Sequence, residues 1–229
     1  MAIKKFKVKV LENGPYLVTG SLSLQKEKIV TNEQGYSVAY EKIKEYPKKD
    51  SYSLCRCGQS KDAPYCDGSH QKVRFEGAET ASHETYEYQC KKIEGPELIL
   101  CDAEELCAFA RFCDLGDRVW RLAEESNKQE SKKLCIKESE LCPSGRLVVI
   151  DKRTGKSLEE KYEPQISLID DPAQEVSGPI WLKGGVLVES SDGFEYEVRE
   201  KQTLCRCGQS QNKPFCNGAH ASCGYQAND

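Results

Sequence analysis

Three cysteines and a histidine recur twice at one spacing in this chain, and the set has the donor chemistry of a metal site. Cys55-Arg56-Cys57-Gly58-Gln59-Ser60 leads through Pro64 to Cys66 and His70, and Cys205-Arg206-Cys207-Gly208-Gln209-Ser210 leads through Pro214 to Cys216 and His220. Aligned without a gap, the two 16-residue copies agree at 10 positions. The chain has only 3 histidines, and two of them fall at the same place in the two copies. Two thiolates one residue apart can grip one metal ion, and a cysteine and a histidine four apart meet on one face of a helical turn. Residue types alone suit either a Cys3His zinc site or a binuclear iron–sulfur cluster with two ligands on each iron. Structural zinc usually separates its cysteines by two to four residues rather than one, which favours the cluster.

The loop around these ligands has the residues needed to hold them. Asp67-Gly68-Ser69 is expected to open the helical turn, with Asp67, or Asn217 in the second copy, accepting backbone N–H groups at its start. Gly68 and Gly218 allow close backbone approach, and the fixed φ of Pro64 and Pro214 stiffens each loop. Upstream, Gly14-Pro15-Tyr16-Leu17-Val18-Thr19-Gly20 and Gly178-Pro179-Ile180-Trp181-Leu182-Lys183-Gly184 each read as a turn entering a β-rich run. The start, 1–10, alternates charged and apolar residues and reads as a strand rather than an export signal.

The stretch Cys66–His70 is Cys-Asp-Gly-Ser-His, and the first copy meets Cys-x-Cys-x2-Ser-x3-Pro-x-Cys-Asp-Gly-Ser-His in full. The loops resemble the CDGSH iron–sulfur domain of the NEET type. That resemblance implies a [2Fe–2S] cluster in each loop, with Cys55 and Cys57 on the inner iron and Cys66 and His70 on the outer one. Cys205, Cys207, Cys216 and His220 match in the same order. The second copy departs at Asn217 and Ala219, neither of which is a ligand in the family. The resemblance also implies an α+β fold in which two β-rich halves, 1–90 and 161–229, form an internal pseudo-dimer by exchanging strands, so that one chain is complete without a second copy. With imidazole in place of one thiolate, each cluster should be easier to reduce than an all-cysteine one, at a potential above the roughly −400 mV of plant-type ferredoxins.

Residues 91–160 form an insert of different character, with 96–101 and 148–150 expected as strands and 103–113 as a helical-turn region. Cys107-Ala108-Phe109-Ala110-Arg111-Phe112-Cys113 and the later Cys142-Pro143-Ser144-Gly145 resemble a divergent mono-cluster ferredoxin, small and α+β. Bacterial ferredoxins use Cys-x2-Cys-x2-Cys and a distant Cys-Pro, and here Ala110 stands at the middle position. Two readings stay open. Cys107, Cys113 and Cys142 hold a third centre, [3Fe–4S], or [4Fe–4S] if Cys101 or Cys135 joins them. Otherwise the cysteines are buried small apolar residues of a degenerate ferredoxin fold.

Composition sets the boundaries. The 229 residues carry 33 basic and 37 acidic side chains, so no overall cationic field invites nucleic acid. No run approaches the roughly 18 apolar residues of a membrane span. Thirteen cysteines cannot all pair within one chain, and without an export signal they point to metal binding in a reducing cytoplasm. No paired acid and base stands near the loops, and Gly184-Gly185 lacks the spacing of a nucleotide fingerprint, so an enzyme is not expected. The expected function is electron transfer, or cluster transfer, to a redox partner or an apo-protein acceptor. The alternatives are a zinc-stabilised interaction module and an electron-delivering component of a redox enzyme. Cys90, Cys101, Cys135 and Cys223 read as buried or free thiols, His83 as a solvated loop residue, and Trp120 and Trp181 as core. Arg56 and Arg206 either reach a cluster or brace their loops.

Overall fold

A computed structural model describes residues 6–229. Before the insert the chain forms β1 (Lys7–Val10), β2 (Tyr16–Thr19), β3 (Ser23–Thr31), β4 (Ser37–Glu45) and β5 (Ser51–Leu54), then the one-turn helices α1 (Ser69–Lys72) and α2 (Tyr86–Gln89). The Lys-Val-Lys-Val alternation of β1 buries Val8 and Val10 and leaves the lysine side half-exposed, as a period of two requires. Of the strand expected over 1–10, residues 1–5 lie outside the described residues.

The insert supplies β6 (Lys91–Glu94), β7 (Leu98–Asp102), α3 (Val119–Glu124), α4 (Gln129–Leu141), β8 (Leu147–Asp151) and β9 (Lys156–Ser157). Its four strands make an antiparallel sheet in sequence order, packed through Leu98, Leu100, Leu147 and Val149 onto Val119, Leu122 and Ala123 of α3. The expected strand at 96–101 starts two residues later, because Gly95 N–H bonds the Leu98 carbonyl across a turn around Pro96. In place of one helical stretch over 103–113 there are two single 3-10 turns, Glu104–Leu106 and Phe112–Asp114. Phe109 and Arg111, both at positive φ, break the helical path between them.

After the insert come β10 (Gln165–Asp171), β11 (Val176–Lys183), β12 (Leu187–Glu189), β13 (Lys201–Leu204) and the short helix α5 (Ala219–Ser222). Pro179 lies inside β11, where the register against β10 slips between Leu168 and Asp170; a bulge is where an inner strand tolerates a residue without an N–H.

Two sheets are shared across the insert. One runs β12-β1-β2-β5 and the other β13-β11-β10-β3-β4. In the first, three strands precede the insert and β12 crosses from beyond it to lie parallel on β1, Val8 opposite Val188; in the second, three strands follow the insert and the β3–β4 hairpin crosses from before it, β3 parallel on β10 with Gln165 opposite Ser23. Val8, Val18, Leu24 and Leu54 share one apolar cluster with Ile166, Leu168, Ile180, Leu182 and Leu204. Each such fully buried aliphatic side chain contributes on the order of 1.5–3 kcal/mol. β5 ends at Leu54 and β13 at Leu204, so each sheet delivers its last strand directly into a cysteine loop.

Candidate metal centres

The two loops share the backbone bonds that position their cysteines. Cys55 N–H donates to Pro64 O at 2.8 Å and Cys66 N–H to Ser53 O at 2.9 Å; Cys205 to Pro214 and Cys216 to Thr203 repeat this at 2.9 Å each. Ser60 Oγ donates to Tyr65 O at 2.6 Å and Ser210 Oγ to Phe215 O at 2.7 Å. Gly68 and Gly218 take φ of 84° and 82°, and a one-turn helix follows each. Asp67 ties the first turn together, accepting from Lys61 N–H, Ser69 N–H and Ser69 Oγ at 2.9–3.0 Å. Asn217 accepts from Ala219 N–H at 3.2 Å, and Ala219 has no hydroxyl to add.

The expected ligands arrive in pairs. Cys55 and Cys57 Sγ stand 3.7 Å apart, and Cys205 and Cys207 Sγ 3.8 Å. Cys66 Sγ is 3.3 Å from His70 Nδ1, and Cys216 Sγ is 3.5 Å from His220 Nδ1. Metal–sulfur and metal–nitrogen bonds of about 2.3 and 2.1 Å at a tetrahedral angle put ligand atoms roughly 3.6–3.8 Å apart. Each pair is therefore nearly at the spacing of two ligands on one tetrahedral metal. Among the described residues no three Cys, His, Asp or Glu side chains meet around one ion.

The electrostatics prepare the donors. A hydrogen bond shared within each inner pair pushes the Cys55 and Cys205 thiols down and holds the Cys57 and Cys207 thiols up. Each inner pair thus loses its first proton readily and keeps the second until a cation replaces it. Burial pushes His220 down to about 4, leaving a neutral imidazole with a free lone pair. Gln209 N–H and Gly218 N–H point at Cys207 and Cys216 Sγ at 3.5 and 3.3 Å, stabilising negative charge on sulfur.

Both arginines brace their loops. Arg56 donates from Nε to Gly14 O at 2.9 Å and from Nη2 to Gly77 O at 2.8 Å, while Arg206 pairs with Asp229. Tyr16, from the first half, donates its hydroxyl to Cys205 O and Pro214 O at 2.9 and 3.0 Å and so holds the second loop. Sequence reasoning missed this tyrosine, whose counterpart in the other half is Ile180.

In the insert, Cys107, Cys113 and Cys142 line one cavity of about 30 Å³ together with Ala110 and Arg146. Burial pushes the Cys113 thiol up to about 12. Arg146 is fixed by Asp102 at 2.6 and 2.9 Å and brings positive charge to the cavity. The idea that Cys101 or Cys135 joins this set is corrected: neither lines the cavity. Cys135 is buried on α4 with its Sγ toward Val119 O, and Cys101 lies in β7 beside Cys90.

A family model described as an iron-binding zinc finger of CDGSH type matches residues 13–71 and 177–221, and one described as a divergent 4Fe-4S mono-cluster matches 93–152. The chain carries two CDGSH-type iron-binding domains around a divergent ferredoxin-type one. It is an iron–sulfur protein. No curated protein and no solved structure matches it. Outside the CDGSH loops, His83 is exposed, as expected of a loop residue, yet its ring stacks on Phe194 at 3.8 Å; Trp181 is core, and Trp120, partly buried, donates Nε1–H to Asp102. Cys223 is exposed. No helix among the described residues is long and apolar enough to cross a membrane.

Proposed function

We propose that each CDGSH loop holds one [2Fe–2S] cluster, on Cys55, Cys57, Cys66 and His70 and on Cys205, Cys207, Cys216 and His220, and that the protein passes electrons or clusters to a redox partner or an apo-protein acceptor. The pairing of the donors carries this reading. Two protein donors per metal would suit a binuclear cluster, whose own sulfides would complete the coordination, whereas one zinc ion would draw all four donors onto itself. A bound cluster supplies one-electron chemistry. The chain's own contribution is to hold paired thiolates, direct N–H groups at their sulfurs and keep the inner pair dry.

The strand exchange supports an internal pseudo-dimer: β1, β2, β5 and visiting β12 in one sheet correspond to β10, β11, β13 and visiting β3 in the other. Such a chain needs no second copy. The cavity at Cys107, Cys113 and Cys142 supports a third centre with three thiolate ligands. We place the protein in the cytoplasm, away from membrane and nucleic acid, as a carrier rather than an enzyme.

His70→Cys tests the ligand assignment. A fourth thiolate adds negative charge, so one of two binuclear potentials should fall, by an amount on the order of 100 mV or more. Two unchanged potentials in an EPR-monitored titration would remove His70 from the ligand set.

A further inference from the structure

The two CDGSH loops share one backbone but not one environment. At Gly68 a Cβ would meet nothing within 4 Å, whereas at Gly218 it would lie 3.1 Å from Phe109 Cβ and 3.2 Å from the Cys107 carbonyl oxygen. The insert covers the second loop at the residue midway between Cys216 and His220. Two further contacts fasten the cover. Asn212 Nδ2 donates to Glu105 O at 2.9 Å, and Arg111, held at φ 61°, reaches Asp171 at 2.6 Å. Cys216 and His220 are 2% and 4% exposed, while Cys66 and His70 are only partly covered. The cover stands where the second loop's own turn is weakest, since Asn217 and Ala219 replace the Asp67–Ser69 bonding.

We propose that the insert segment Glu105–Arg111 is a seal on the second CDGSH loop, so that metal groups leave or enter at the first loop and the second keeps its own. This rests on the cluster reading above. Transfer from the first loop is ligand exchange with a thiol acceptor, without change of iron oxidation state. Bonds to Cys55, Cys57, Cys66 and His70 break, four acceptor thiolates take their places, and the acceptor's thiol protons pass to the three freed cysteines and to His70 or solvent. At the second loop the same exchange must wait for the insert to lift.

The test follows cluster loss from anaerobically purified protein in excess ferrous chelator and dithionite, read by EPR at a temperature where only binuclear centres give a sharp signal. The expected decay has two phases of equal size, the slower by roughly tenfold or more because it requires local opening. Cys66→Ser should abolish the fast phase alone. Asn212→Ala and Arg111→Ala should each accelerate the slow phase and leave the fast one unchanged, which also shows that the variants fold. A single rate for both clusters, or loss of the slow phase in Cys66→Ser, overturns the seal while leaving the clusters in place. Protein without iron overturns the cluster reading, and the seal with it.

Discussion

Gly58 and Gly208 face each other across the two metal loops, and a Cβ on either would lie 2.8 Å from the carbonyl oxygen of the other loop's Cys207 or Cys57. Both take positive φ, 74° and 79°. The two loops therefore approach backbone to backbone beside their inner ligands, a contact that only glycine permits on both conformational and steric grounds. Gly58→Ala should cost about 1–3 kcal/mol of stability. Urea unfolding of the purified protein measures it, and an unchanged midpoint would mean the loops can part freely.

A second prediction concerns pH. Glu138 is fully buried on α4; one oxygen accepts from Gly116 N–H at 3.0 Å, and the other has no hydrogen-bond partner among the described residues. Burial pushes its carboxyl up to about 7. The folded state thus holds this proton more tightly than the unfolded one, whose glutamate titrates near 4.3. Its contribution is complete below about pH 4 and is lost as pH rises through about 7. Between about pH 5 and pH 8 the protein should lose on the order of 2 kcal/mol from this group, and Glu138→Gln should not. Parallel slopes for the two proteins, from unfolding midpoints at both pH values, would place the charge in water.

The insert gives a third. Ala110 stands where a ferredoxin has its middle cysteine and lines the cavity of Cys107, Cys113 and Cys142. Ala110→Cys should raise iron by about one per chain and replace the signal of an oxidised three-iron centre with that of a reduced four-iron one. Iron and EPR that match the parent protein would return these cysteines to a structural role.

Much of the site was legible because its signal is local. Cys-x-Cys and Cys-x3-His fix which atoms can meet, and the helical turn that brings Cys66 to His70 is written in Asp67-Gly68-Ser69. The same holds for Cys107 and Cys113, three-residue steps apart from Ala110. What decides access to each centre is not local. Gly68 and Gly218 are one residue type at one position of a repeat, and only the return of the insert over the second distinguishes them. Likewise β12 is three residues long and pairs with β1 about 180 residues away, so no periodicity announces it. Tyr16 shows no motif either: its role as a latch on Cys205 and Pro214 exists only once strands have crossed the insert.

The central claim is that the two loops hold binuclear iron–sulfur clusters, and metal analysis with EPR spin counting on anaerobically purified protein tests it most directly. Reduced protein should show about two spins per chain from binuclear centres, with at least about four irons and matching sulfide. Colourless protein with about two zinc ions per chain and no iron would contradict it.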